Sequence, residues 1–91
     1  MKTREEFKCF VRESAYRNGF DSMSVRCYTM LDNGANLKAI KRHLSSMIKN
    51  YEWFLNRPTN DSTYTVRDKE RVQVDFNISR ALLDFLMEVE Q

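Results

Sequence analysis

Residues 36 to 57, NLKAIKRHLSSMIKNYEWFLNR, limit what this chain can fold into more than any other stretch. Stepped at about 100° per residue, Leu37, Ile40, Leu44, Met47, Ile48, Tyr51, Phe54 and Leu55 fall on one stripe, which predicts a long amphipathic helix. Asn36 is a good N-cap, and the helix must stop before Pro58, because the residue preceding a proline is pushed out of the α region. An apolar stripe of this length has to be covered by other elements packed around it. The fold expected is therefore mainly α, a small helical bundle around one long central helix. On the opposite face Lys38, Arg42, Lys49, Trp53 and Arg57 line up, so the single tryptophan stands within a basic row.

The flanking segments supply the partners. Thr3 and Glu6 have capping-box spacing, and Phe7, Phe10, Val11, Ser14 and Ala15 follow at helical intervals, which predicts a first helix over residues 3 to 18 closed by Gly19. Met23, Cys27, Met30 and Leu31 mark a shorter helix from Ser22 to Asn33, with Gly34 as its terminator. Residues 58 to 62, PTNDS, read as a loop. Beyond them Tyr64 and Val66, then Val72, Val74 and Phe76, alternate with polar neighbours around a charged Arg67–Arg71 turn. That period of two, with its β-branched residues, predicts a short β-hairpin before the C-terminal helix; a helix continued backwards through Asp68 is the rival. Ile78 to Glu90 is the last helix, with Ile78, Ala81, Leu82, Phe85, Leu86 and Val89 on its main stripe and Leu83 and Met87 beside it. The expected core is Phe7, Phe10, Val11, Met30, Leu31, Ile40, Leu44, Met47, Ile48, Tyr51, Leu55, Leu82, Phe85 and Leu86.

Ninety-one residues with 42% apolar and 31% charged content fit one compact domain over residues 1–91. Net charge is +2, yet residues 1 to 71 hold fourteen Lys and Arg against nine Asp and Glu, and the remainder one against four. So mild a balance does not by itself imply nucleic-acid binding, which neutralises several phosphates from one face. No apolar run reaches the roughly 18 residues of a membrane span, and the charged start MKTREEFKCF is unlike a secretory signal. A cytoplasmic protein with no membrane partner is the expectation. Cys9 and Cys27 lack metal-ligand spacing and are expected to be free thiols.

Catalytic chemistry finds no foothold. His43, the sole histidine, has Ala39, Ile40, Ser46 and Met47 at its helical neighbour positions and falls at the margin between the apolar and basic faces. Asp84 and Glu88 are an i, i+4 acidic pair of the kind usually solvated near a terminus. Both glycines fall at helix ends, which leaves no phosphate-cradling loop. No enzyme, no cofactor and no metal site is expected.

The functional expectation rests on the basic face. Lys38, Arg42, Lys49 and Arg57 around Trp53 suit a small regulator or inhibitor that docks on a larger protein, itself one that binds nucleic acid in some cases, as accessory proteins of phages and plasmids do. The alternative is direct nucleic-acid binding by a winged-helix-like arrangement, with residues 23 to 33 and the long helix as the helix-turn-helix and Arg67, Lys69 and Arg71 on a basic wing. A third reading is a self-associating subunit, a homodimer formed through Leu83 and Met87. The plain competitor to all three is that Trp53 packs against another helix and the cations are merely solvated.

Overall fold

A computed structural model describes residues 1–57 and 66–89. Helix α1 (Arg4–Arg17) begins where Thr3 and Glu6 close a reciprocal capping box: Thr3 Oγ1 accepts from the Glu6 amide, and Glu6 Oε1 accepts from the Thr3 amide, both at 3.2 Å. Helix α2 (Ser22–Asp32) begins at Asp21, whose Oδ2 accepts from the Ser24 amide at 2.8 Å. Helix α3 (Leu37–Leu55) begins at Asn36, whose Oδ1 accepts from the Lys38 amide at 2.8 Å. Each cap satisfies a donor that the first turn of a helix leaves without an intrahelical acceptor.

The first two helices end alike. The Phe20 amide donates to the Ala15 carbonyl at 2.6 Å and the Ala35 amide to the Met30 carbonyl at 2.9 Å, with Gly19 and Gly34 at φ +66° and +77°. This is the Schellman closure, in which only glycine enters the left-handed region without steric cost. Phe20, at φ +60°, follows Gly19 into that region. The conformation costs a residue with a side chain about 1–2 kcal/mol.

A long-range link ties α1 to the end of α2. Arg4 donates from Nη1 to the Ala35 carbonyl at 2.7 Å, just past α2, and from Nη2 to the Leu31 carbonyl at 3.0 Å, which also accepts from the Gly34 amide at 3.1 Å. Arg4→Ala is expected to lower unfolding stability by about 1.5–3 kcal/mol, the usual worth of hydrogen bonds from a charged donor, as read from the urea midpoint. Arg4→Lys, a point charge without the fork, should recover less than half of that loss.

Helix α4 (Val66–Leu86) returns along α3, and the α1–α2 pair packs against this long hairpin. Phe7, Val11, Cys27, Ile40, Leu44, Leu82 and Leu86 are wholly shielded from solvent in the shared core. Its edge is closed by Phe10, Met30, Met47 and Phe85, with the Phe10 and Phe85 rings stacked at 4.4 Å. The buried hydroxyls of Ser14 and Ser24 satisfy one another across α1 and α2 at 2.8 Å. At the far end, the Lys2 amide donates to the Glu88 carbonyl at 3.1 Å, and Lys2 pairs with Val89 in an isolated parallel bridge.

Past Ile48 on α3 and before Ile78 on α4, no apolar side chain of the two helices is fully buried: Tyr51, Phe54, Leu55, Val72 and Phe76 are half-buried, Trp53, Val66 and Val74 exposed. These ends form a two-helix arm extending from the four-helix core, in keeping with dimensions of 44 × 23 × 21 Å. Tyr51 and Leu55, expected at the centre, lie on this arm instead. Met23, Cys27, Leu37, Ile78 and Val89 take central places that the expected core left out.

The expected β-hairpin is not seen. Val66 to Phe76 are the first half of α4, and the rest of that stretch, residues 62–65, lies outside the described residues. Val72 and Phe76 are spaced i, i+4 and so share one face of a helix as well as one face of a strand; only Val74, between them, tells the two apart. On α4 it points away from α3 and is 54% exposed. Packing on α3, with the Gln73 side chain donating to Asn77 Oδ1 one turn on at 3.0 Å, overrides the β propensity of the valines. Val74→Ala is accordingly expected to raise stability by about 0.5 kcal/mol, since Ala outranks Val in a helix and little packing is lost. A loss of stability would favour a strand at this position.

Candidate docking surface on the third helix

The face of α3 turned away from the core is basic from Lys38 to Lys49. Lys38, Arg42 and Lys49 are exposed, and Lys41 is half-buried beside them. With the small side chains of Ser45 and Ser46 these cations line a shallow open depression. From Lys38 to Lys49 the row runs about 17 Å at 1.5 Å per residue. Among the described residues none of the four cations forms an ion pair, and the one described pair, Lys8 with Asp32 at 3.3 Å, lies on α1 and α2. Glu52, one turn after Lys49, is the one carboxylate of α3 on this face, so the row keeps a net positive charge that favours an anionic neighbour. Lys41 was not among the expected site residues, because its helical angle falls on the far shoulder of the row, close to Leu37.

Beyond Lys49 the row passes onto the arm. Trp53 is 63% exposed and stands outside the core cluster. The Arg57 guanidinium sits 4.9 Å from the Trp53 ring and 5.9 Å from the Phe54 ring, and the two rings meet edge to face at 6.1 Å. A guanidinium on one face of the indole restrains the ring and leaves its other face free for a partner.

The remaining expected site residues are placed differently. Arg67, Lys69 and Arg71 are not on a wing but on the first two turns of α4, where Arg67 and Arg71 share a face and half-buried Lys69 lies on the opposite one. No basic tip gathers them. Arg71 stands one turn before Asp75, which lies on the buried stripe of α4, and the Arg71 charge acts on that carboxylate. Burial, then the nearby Asp21, push the Asp75 carboxyl above its usual range, with Arg71 opposing. Burial also raises the Tyr51 phenol, helped by Asp75 and Asp21. The N-cap of α2 and the roots of both arm helices thus meet at Asp21, Tyr51 and Asp75.

His43 lies at the edge of the α3 core face, toward α2. Burial and the positive charge of Arg26 lower its pKa below 6.5, and its Nε2 has no hydrogen-bond partner among the described residues. The unfolded chain therefore binds this proton more readily than the folded one. The stabilising effect is complete above pH 6.5 and is lost as pH falls through that value toward the lower folded pKa. Between about pH 7.5 and 5.5 the urea midpoint is expected to fall, and His43→Gln should flatten that slope. A slope unchanged in the variant would assign the effect to another group.

Cys9 is exposed on α1, whereas Cys27 is fully buried and its thiol is pushed up to about 12, mainly by burial, which removes it as a nucleophile. Among the described residues no three His, Cys, Asp or Glu side chains gather as metal ligands, and no helix is long and apolar enough to cross a membrane. Comparison with known proteins returns no matching family model, no matching curated protein and no matching solved structure.

Proposed function

We propose that this chain is a small non-enzymatic binding protein, a regulator or inhibitor, that docks the basic outer face of α3 on an acidic surface of a larger protein with Trp53 as its anchor. The observation that carries this reading is the exposure of Trp53 beside Arg57, at the end of a row in which Lys38, Lys41, Arg42 and Lys49 form no ion pair among the described residues. Tryptophan and arginine are the residue types most enriched among interface hot spots, and a cationic rim speeds encounter with an acidic partner and sets its register.

Direct binding of nucleic acid is the second reading, favoured by the same exposed cations, Lys38, Arg42 and Lys49. It now rests on α3 alone, since Arg67, Lys69 and Arg71 form no wing. Titrating the sole tryptophan separates the two. Mixed-sequence single- and double-stranded oligonucleotides should leave its emission unchanged at physiological salt, while polyglutamate, standing for an acidic protein face, should perturb it. Oligonucleotide quenching that falls steeply with salt would replace the first reading by the second. A blue-shifted emission, unresponsive to every probe, would remove the site from both.

A further inference from the structure

The junction of α1 and α2 carries a second surface, which shares no residue with the α3 face. Helical spacing sets Arg12 and Tyr16 one turn apart on α1, and Val25 and Tyr28 on the facing side of α2. With Ala15 and Phe20 they enclose an open groove of about 430 Å³, within the range of sites that accept one or two side chains of a ligand. Tyr16 is 61% and Phe20 63% exposed, and their rings meet edge to face at 5.3 Å.

Phe20 is badly placed for the isolated chain. Its backbone at φ +60° suits Asn or Gly, and its ring is left mostly in water. An aromatic side chain held this way gains burial only when something covers it. The charges nearby limit what that is. Lys8, next along α1, is paired with Asp32 at 3.3 Å and lies over the Tyr28 ring, so the fold already uses it. Arg12 rests 5.8 Å from the Tyr16 ring and forms no ion pair among the described residues. The groove thus offers apolar walls and one uncommitted cation at its rim. A nucleic-acid strand would need a track of cations, whereas one carboxylate beside one bulky apolar group matches what is present.

We infer that this groove docks a short segment of another protein that presents a bulky apolar side chain one or two residues from a carboxylate. The chain would then hold two partners at once, one on α3 and one between α1 and α2. The chain itself has comparable pairings among its described residues, exposed Trp53 beside Glu52 and exposed Met87 beside Glu88, so a second copy is the rival occupant to be separated.

The test is amide chemical-shift mapping of the full chain against acetylated pentapeptides SΦΦES, with Φ drawn from Trp, Phe, Leu and Met, and against their SΦΦKS counterparts. The inference predicts shifts at Phe20, Val25 and Tyr28 with the Glu peptides, weakened at least tenfold by Phe20→Asn. That variant should keep or raise the melting temperature, because Asn accepts the left-handed backbone, so lost binding would not reflect lost folding. Arg12→Glu should reverse the preference from Glu to Lys peptides. The inference is overturned by an absence of shifts across the whole set, by binding indifferent to both substitutions, or by shifts confined to α3. It is equally overturned if the chain sediments as a dimer that Phe20→Asn or Glu88→Lys dissociates, or if single-stranded oligonucleotides move these amides instead.

Discussion

Leu82→Ala is expected to lower unfolding stability by about 3–5 kcal/mol. Leu82 is 0% exposed and lies in the one cluster to which all four helices contribute. Truncation removes the transfer free energy of the lost methyl groups and leaves a cavity that rigid helices on several sides cannot close. A chain of this length has about 5–13 kcal/mol of stability in all, so the variant should be near its limit at 37 °C. The urea midpoint would fall with little change in slope. Leu83→Ala, one position on but only half-buried, should cost less than half as much. Equal losses at 82 and 83 would mean that α4 is rotated from the orientation described.

Trp53→Ala should do the reverse. With 63% of its surface in water, its removal should leave stability within about 0.5 kcal/mol of the parent. Binding should weaken by 2 kcal/mol or more, about 30-fold, if Trp53 is the anchor of an interface. Arg57 should follow it in part, since its guanidinium positions the indole. Lys49→Ala and Arg42→Ala should each cost severalfold, more at low salt than at high, because rim cations act mainly through screened attraction and on-rate. A sharp drop in melting temperature for Trp53→Ala would instead mark the ring as structural.

Much of this was legible from residue types and spacing. The caps at Thr3 and Asn36 and the left-handed stops at Gly19 and Gly34 act through neighbours a few positions away, so the bounds of α1 and α3 and the end of α2 follow from local chemistry, whereas the Asp21 cap of α2 was not read from the sequence. The basic row with Trp53 was equally visible, being a matter of angle on one helix. What sequence periodicity could not settle was whether a neighbour covered that face, because nothing local says where α4 lies. The start of α4 was missed for a related reason. Val72 and Phe76 satisfy a period of two and a period near four alike, and the deciding contacts are with α3, far away in sequence. That misreading also created the supposed wing of Arg67, Lys69 and Arg71. The Arg4 link to the end of α2 left no sequence signal, since an arginine in a first turn is ordinarily a solvated charge. The left-handed backbone and exposed ring of Phe20 have no local sequence signal, since the closing turn of α1 alone does not say what covers the residue after Gly19.

The most direct test of the α3 docking surface is site-specific photo-crosslinking inside the cells that make the protein, with benzoylphenylalanine in place of Ser46. That position is exposed in the middle of the basic row, and its replacement leaves Trp53 intact. The account predicts one discrete protein adduct, lost when Trp53→Ala or Lys49→Glu is added and absent when the probe is moved to exposed Arg80 on α4. Adducts to nucleic acid alone, or a protein adduct that survives both substitutions, would contradict it.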